Sequence, residues 1–213
     1  MSCTRREAVA GAIAAAALVV GGGASAAFGN TGESLLRPPG GQDAQRLLGL
    51  CLRCDRCRSV CPHSAIDIAH IEDGLLVART PKMNFHLGYC DFCNGDYLCA
   101  RVCPSQAISF GFDPTTDKIG LARVDHEQCL LDRLAGACSL ECVDACPYEA
   151  LVVDEDGKLK VIDDLCNGCG LCEYSCPSAS YATYTGSTQR GINIKSLSAL
   201  DTDTETEEPH EEA

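Results

Sequence analysis

The 213-residue chain has no tryptophan, few aromatic residues (5%) and far fewer basic than acidic residues. The shortage of aromatic side chains argues against a large conventional aromatic core. With 17 Lys and Arg against 30 Asp and Glu, the net charge is −13. This balance argues against a nucleic-acid partner, because phosphate binding needs clustered basic side chains. The acidic surface instead predicts docking on a basic patch of another protein.

Cysteine is the residue that the chain has in excess, with 17 in 213. All except Cys3 fall into four repeats that end in Cys-Pro. Repeats one and four share the compact spacing Cys-x2-Cys-x2-Cys-x3-Cys-Pro, whereas repeats two and three carry inserted residues. In chain order the four repeats are Cys51, Cys54, Cys57 and Cys61; Cys90, Cys93, Cys99 and Cys103; Cys129, Cys138, Cys142 and Cys146; and Cys166, Cys169, Cys172 and Cys176.

The compact spacing is typical of [4Fe–4S] binding, with three thiolates on a tight loop and a fourth one helical turn later. Disulfides persist in proteins outside the cytoplasm, but they do not explain four recurrences of a three-plus-one pattern. Zinc sites usually use two separated pairs of ligands. Haem attachment requires His directly after the second cysteine, and no cysteine here precedes His. We therefore predict four [4Fe–4S] clusters ligated by these sixteen cysteines.

The partners of each repeat are not evident from the spacing. In two-cluster units the fourth cysteine of one motif ligates the cluster of the other. Similar loop lengths favour pairing repeat one with four and repeat two with three; sequential pairing, one with two and three with four, is the alternative. The favoured pairing predicts the ligand sets Cys51, Cys54, Cys57 and Cys176; Cys166, Cys169, Cys172 and Cys61; Cys90, Cys93, Cys99 and Cys146; and Cys129, Cys138, Cys142 and Cys103.

The sequence predicts an α+β fold made of two ferredoxin-like dicluster units. Apolar runs after three of the Cys-Pro pairs predict strands at 66–68, 108–110 and 151–153, and a short helix is expected before each Cys-Pro. The proline ends that helix because it cannot donate a backbone hydrogen bond. We place the four-cluster domain at 47–185, with repeats at 47–80, 85–115, 122–156 and 158–185. A lead-in at 29–46 precedes the domain.

The C-terminal segment, 186–213, lacks the repeat pattern. Its last 13 residues hold seven acids and no Lys or Arg. Such a composition favours a flexible, solvated acidic tail over an interaction tail.

Four complete sets of four cysteines leave no iron without a protein thiolate. The chain therefore has no predicted substrate site, and we expect an electron carrier rather than an enzyme. Aromatic residues that flank the cysteines either shield the clusters from water or simply pack in a small core; they are Tyr89, Phe92, Tyr148 and Tyr174. His63, next to Pro62, is expected at the surface or beside a cluster rather than as a ligand.

Residues 1–28 have the features of a twin-arginine export signal. Arg5 and Arg6 precede a weakly apolar stretch, and Ala24-Ser25-Ala26 offers a cleavage site. The stretch is short and rich in Ala and Gly for a membrane span, although an Ala-rich helix or a membrane anchor is the alternative interpretation. The twin-arginine route exports proteins that are already folded around a cofactor, so the protein is expected to be periplasmic or extracytoplasmic.

These features together resemble the NapG/MauM ferredoxin-type family. The resemblance runs from the twin-arginine leader through Leu36-Arg37-Pro38-Pro39-Gly40 and all four cysteine repeats. It includes the runs at 120–125 and 166–173. The chain departs from the pattern in the gap between Cys93 and Cys99, in the longer gaps of repeat three and in its acidic tail.

The resemblance implies an exported carrier with four [4Fe–4S] clusters that relays electrons from a membrane quinol oxidase of the NapH type. The acceptor it implies is a periplasmic reductase, such as a molybdenum nitrate reductase, or a c-type cytochrome, with methylamine oxidation as the setting of the MauM type. Membrane association would then be peripheral, through the partner. The alternatives are an iron–sulfur subunit of a molybdopterin oxidoreductase and a maturation factor for such an enzyme.

Overall fold

A computed structural model describes residues 35–133, 138–178 and 190–204, with side chains up to residue 200. The predicted export signal at 1–28 and residues 205–213 of the predicted tail lie outside the described residues. Within the described ranges the helices are α1 Ala44–Leu50, α2 Arg56–Ser59, α3 Leu98–Arg101, α4 Leu130–Arg133, α5 Glu141–Asp144, α6 Leu171–Ser175 and α7 Leu197–Thr204. The strands are β1 Ile66–Ile68, β2 Pro81–Met83, β3 Leu121–Val124, β4 Leu151–Val153, β5 Leu159–Val161 and β6 Ile192–Lys195.

The described strands form three separate two-stranded antiparallel sheets, β1–β2, β4–β5 and β3–β6. The β4–β5 hairpin closes through a turn in which Asp154 accepts hydrogen bonds from the backbone N–H groups of Gly157 and Lys158. Two-stranded sheets this short have little stability of their own, so they depend on packing against other elements. The small mixed helix and strand architecture agrees with the predicted α+β class.

The strands predicted at 66–68 and 151–153 are confirmed as β1 and β4. The strand predicted at 108–110 is wrong. That segment instead makes two hydrogen bonds to the Pro-Pro-Gly turn. The backbone N–H and the hydroxyl of Ser109 both donate to the carbonyl oxygen of Gly40, at 2.9 and 3.0 Å. An apolar run becomes a strand only when a partner strand is available, and here a turn occupies that position.

The prediction of a flexible segment from residue 186 is wrong for residues 190–196. Strand β6 pairs with β3 in the register Ala122 with Ile194 and Val124 with Ile192. Ile192 is only 1% exposed, and the alternation of Ile192 and Ile194 with polar residues directs both into the core. This alternation predicts a strand, but the acidic composition of the whole segment favoured a flexible tail.

Residues 35–46 of the predicted lead-in are also part of the folded body. Arg37 and Pro38 are buried, and the carbonyl oxygen of Leu36 accepts a hydrogen bond from Met83 N–H at 2.8 Å. Helix α1 begins inside this segment, where the Asp43 side chain accepts from Arg46 N–H and caps the helix. The structured domain therefore begins well before residue 47.

Four short helices carry the third cysteine of each repeat. They are α2 with Cys57, α3 with Cys99, α5 with Cys142 and α6 with Cys172. Helix α2 packs on α3, and α5 packs on α6. The described ranges contain no helix with the length and apolar character needed to cross a bilayer.

Candidate metal centres

The two compact cysteine loops share one backbone conformation. In repeat four, Gly168 and Gly170 have φ of +75° and +79°, and in repeat one Arg53 and Asp55 occupy the equivalent positions with φ of +53° and +64°. Left-handed residues at these positions turn successive N–H groups towards the inside of the loop, where they can meet an anionic group. In both loops the backbone therefore wraps around the space that the cysteines line.

Backbone N–H groups donate to several of the cysteine sulfurs. Arg53 N–H lies 3.4 Å from Cys51 Sγ, and Ala122 N–H lies 3.4 Å from Cys166 Sγ. Ala150 N–H is also 3.4 Å from the Sγ of the fourth cysteine of its own repeat. Hydrogen bonds to cysteine sulfurs are among the contacts by which a protein tunes an iron–sulfur centre.

The thiols gather into four sets of four. Three cavities are each lined by three cysteines of one repeat and the fourth cysteine of its neighbour. We name them site 1, with Cys51, Cys54, Cys57 and Cys103; site 3, with Cys129, Cys138, Cys142 and Cys176; and site 4, with Cys166, Cys169, Cys172 and Cys146.

The remaining thiols form site 2, with Cys90, Cys93, Cys99 and Cys61. Burial is the main reason why the pKa of Cys90 lies well above its ordinary value, and the thiols of Cys99 and Cys61 add to the rise. The pKa of Cys99 is raised to about 12, again by burial first and then by Cys93 and Cys61. Cys61 therefore lies with the cysteines of repeat two.

This grouping corrects the expected pairing. The ligand sets that join repeat one with four and repeat two with three are wrong, because Cys103 rather than Cys176 stands with Cys51, and Cys61 stands with Cys90 rather than Cys166. The alternative, sequential pairing, describes the structure. The physical reason lies in the helices: α2 packs on α3 and α5 on α6, and each one-turn helix delivers the following cysteine to the loop of its packing partner.

The spaces between the thiols suit a polynuclear group. The empty volumes at sites 1, 4 and 3 are about 420, 330 and 310 Å³, part of which is open to solvent. Among the described residues, no three His, Cys, Asp or Glu side chains converge closely enough to hold a single metal ion.

The donor set also fits iron–sulfur chemistry. All sixteen cysteines in the described ranges are free thiols. Burial raises the pKa of Cys57 to about 12 and that of Cys169 to about 11. Buried thiols of this kind ionise only when a positive group stands between them, and an iron core supplies that charge. Sixteen thiols in four sets, three of which line cavities, are therefore consistent with [4Fe–4S] binding.

Sites 2 and 4 lie next to each other across the junction of the two halves of the chain. The backbone N–H of Cys90 donates to the carbonyl oxygen of Cys169 at 2.8 Å. Tyr148 lies at the same junction: its pKa is raised by burial first and then by Cys169 and Cys90, which belong to different sites. Because α2 contacts α3 and α5 contacts α6, the sites are neighbours in the order 1, 2, 4, 3.

The flanking aromatic residues divide into two groups. Phe92 is buried and stacks on Phe112 with ring centroids 5.6 Å apart, and Tyr148 lies among the thiols of sites 2 and 4. Tyr174 is 45% exposed, and Tyr89 stacks on His63 at 4.3 Å. Phe92 and Tyr148 therefore lie where they can shield thiols from water, whereas Tyr174 lies at the surface.

Sequence reasoning missed the buried arginines. Arg37 donates to Thr80 Oγ1 at 2.9 Å and to the Pro81 carbonyl at 2.8 Å, while its buried Nε and Nη2 have no partner among the described residues. Burial lowers the pKa of Arg37, whereas the interaction with Cys51 raises it. This interaction shows that the Arg37 cation lies close to site 1. Arg190 likewise donates to the carbonyls of Glu173 and Tyr174. The Arg-Pro-Pro-Gly run was the only available signal for Arg37.

Comparison with known proteins agrees with this architecture. Residues 50–107 and 136–180 match the 4Fe-4S dicluster domain family. The first match spans repeats one and two, and the second begins inside repeat three, before Cys138, and continues through repeat four. Each match thus falls on one sequential pair of repeats.

Curated relatives are ferredoxin-type proteins. NapG of Escherichia coli (strain K12) is 33% identical over 155 residues, 66% of this chain and 65% of the relative. MauM, a methylamine utilization ferredoxin-type protein of Methylophilus methylotrophus, is 32% identical over 180 residues, 78% of this chain and 77% of the relative. NapF of Escherichia coli (strain K12) is 29% identical over 157 residues, 70% of this chain and 85% of the relative.

The aligned part of the chain thus spans slightly less than two thirds of NapG and more than three quarters of MauM. Similarity of this extent, together with the two dicluster matches and the four thiol sites, determines the family. The chain belongs to the ferredoxin-type family of NapG and MauM, whose members resemble it across the 4Fe–4S dicluster regions.

Proposed function

We propose that the protein is an exported electron carrier with four [4Fe–4S] clusters, one at each of sites 1 to 4. It relays electrons from a membrane quinol oxidase of the NapH type to a periplasmic reductase, for example a nitrate reductase. When bound, such clusters accept and release one electron at a time. The ligands are the sixteen cysteines in the sequentially paired sets of sites 1 to 4.

One observation carries the proposal: four complete sets of four thiols lie in an unbroken series of neighbours. Each set supplies a full complement of cysteine ligands, which favours electron transfer over substrate chemistry. The hydrogen bond from Cys90 N–H to the Cys169 carbonyl links the two dicluster halves. A carrier needs such continuity, because electrons have to cross the protein between two partners.

The residues around the thiols would set the reduction potentials of the clusters. Backbone N–H groups of Arg53, Ala122 and Ala150 point at sulfurs, which stabilises added negative charge. Phe92 and Tyr148 would limit water access at sites 2 and 4. These contacts come from the protein alone and do not need a bound substrate.

The test is anaerobic purification followed by iron and sulfide analysis and an EPR-monitored redox titration. We expect about sixteen iron atoms per chain, four at each of four sites, and a signal from each reduced cluster. The reduced spectrum should also appear when quinol is added together with the membrane partner. A protein that holds zinc, or that stays oxidised with quinol and partner while dithionite reduces it, would contradict the carrier function.

A further inference from the structure

Site 1 differs from the other sites in the charge of its wall. Arg53, Arg56 and Arg79 line its cavity, and Asp55 is the only carboxylate among the lining residues. Asp55 lies 3.7 Å from Arg58, a further exposed basic residue. In a chain with a net charge of −13, this cluster of arginines makes a local basic face.

Site 1 is also the most accessible site. Cys54 is the one cysteine in the described ranges that is exposed; the other fifteen are half-buried or buried. An exposed ligand brings the metal centre close to the surface, where a partner can approach it. The cluster ligated by Cys54 would therefore be the one that exchanges electrons most readily with another protein.

Apolar side chains lie on the same face. Leu52 is 66% exposed and belongs to the wall of site 1, and Leu76 is 41% exposed. The cysteine loop that contains Leu52 contacts the segment that contains Leu76, because Arg53 Nη2 donates to the Leu76 carbonyl at 2.9 Å. Exposed leucines among arginines have the composition of a protein-binding surface, in which an apolar centre is bordered by charge.

The backbone shows that the arginines are kept at a conformational cost. Arg53 has φ of +53° and Arg79 has φ of +65°, in the left-handed region that suits glycine. Repeat four places Gly168 at the position equivalent to Arg53. Arg53 is exposed, and its side chain donates to the Leu76 carbonyl within the fold. The strain and the exposure together are compatible with a further role of the charge at the surface.

The opposite end of the series carries several acidic side chains, although helix α4 there ends in the exposed Arg133. Helix α5, which carries Cys142 of site 3, begins with Glu141 and ends with Asp144. The side chain of Asp132 lies close enough to Cys129 to raise its pKa, after the larger effect of burial. The basic face is thus a property of the site 1 end.

We propose that the basic face, formed by Leu52, Arg53, Cys54, Arg56, Leu76 and Arg79, is the docking surface for a redox protein with an acidic patch around its own redox centre. Opposite charges align the two centres, and one electron passes between them, oxidising one protein and reducing the other. This inference rests on the proposed carrier function. It contrasts with the net charge of the chain, which by itself favours a basic partner.

The test uses the reduced holoprotein and measures its reoxidation by stopped flow with two probes, an acidic blue-copper protein and a basic c-type cytochrome. The double variant Arg53→Glu with Arg56→Glu should slow reoxidation by the acidic probe on the order of tenfold at low ionic strength, and high salt should erase the difference. The matched control is Lys158→Glu with Lys160→Glu. It makes the same change in net charge on the exposed β4–β5 hairpin, and its rate should stay within about twofold of the wild-type rate.

Iron content and the EPR signals of both double variants are measured first, so that an effect on folding can be distinguished from an effect on docking.

Equal slowing by the two double variants would overturn the proposal, because net charge alone would then explain the rates. Faster reoxidation after removal of residues 201–213 would also overturn it, since the acidic tail would be the occupant of the face. Binding to anionic phospholipid vesicles that only the arginine variant loses, with unchanged protein rates, would overturn it in favour of a lipid surface. A wild-type protein that no probe can reoxidise would contradict the carrier function itself.

Discussion

Gly170 and Asp55 occupy the same position in two homologous loops, yet their environments differ. Both have left-handed φ, of +79° and +64°. A Cβ atom at Gly170 would lie 2.0 Å from the Phe85 ring, whereas Asp55 lies at the surface and carries its side chain without a clash. Glycine is therefore required by packing as well as by φ in repeat four, and only the surface loop is free to carry charge.

We expect Gly170→Ala to destabilise the protein and lower its iron content. The methyl group adds a clash with Phe85 to the cost of a left-handed alanine, so the total penalty should be about 2–4 kcal/mol. Thermal unfolding and iron analysis measure the effect. Gly157→Ala is the matched control: Gly157 has φ of +75°, but a Cβ there meets no atom within 4 Å. It should cost only about 1 kcal/mol. Equal penalties would show that Phe85 moves aside.

Arg37 should raise the reduction potential of site 1. Its buried guanidinium lies near Cys51, and a positive charge favours the reduced, more negative state. Arg37→Met should lower that potential by an amount on the order of tens of millivolts. It should also destabilise the fold by about 1–3 kcal/mol, because the bond to the Pro81 carbonyl is lost.

The measurement is a redox titration followed by EPR. Arg46→Met removes the same charge from an exposed position on α1 and should leave the potentials nearly unchanged, since solvent screens it. A uniform shift of every site in Arg37→Met would contradict a local effect.

At the scale of elements, the packing of one-turn helices decides how the repeats combine. Helix α2 ends just before Cys61, so the contact of α2 with α3 carries that thiol to the loop of repeat two. Loop length has no part in this geometry. Similarity of loop length therefore predicted the wrong partners, although the spacing of the motifs identified every cysteine that the structure brings into a site.

Serine variants should reveal the pairing. Cys51→Ser and Cys103→Ser should perturb the same EPR signal, because both thiols line site 1. Cys61→Ser should instead perturb the signal that Cys93→Ser perturbs, since Cys61 and Cys93 belong to site 2. Each variant should lose at most about four irons. The two pairs serve as each other's control. If Cys103→Ser instead altered the signal that Cys129→Ser alters, the sequential sets would be wrong.

At the scale of the whole molecule, the thiol sites occupy the centre of the fold. The buried cluster of core residues includes Cys99, Cys142, Cys166 and Cys172, and most of the other cysteines pack against it. Around them stand three two-stranded sheets and five α-helices of four or five residues within the described ranges. Elements so short do not form alone in water. Binding of the metal centres and folding are therefore expected to be one event.

Removal of iron should abolish the cooperative thermal transition and most of the far-UV circular dichroism. Without metal, the buried thiols leave empty cavities and the short elements lose their common support. Anaerobic chelation followed by circular dichroism and limited proteolysis checks this result. Reconstitution with iron and sulfide should restore the transition, and zinc in their place should not. An iron-free protein that keeps a sharp transition would show that the hairpins and α1 are stable without the clusters.

The sequence by itself determined the chemistry. The spacing of four repeats identifies sixteen thiols, their iron–sulfur preference and the family, because ligands within one loop are separated by only a few residues. It also predicts β1 and β4, whose apolar residues begin four positions after the proline of Cys-Pro. The tertiary structure alone decided which repeats share a site, and it placed Arg37 beside site 1, β6 beside β3 and a basic face around Cys54. These features depend on contacts between segments that lie far apart in the chain, and such contacts follow from packing rather than from local spacing.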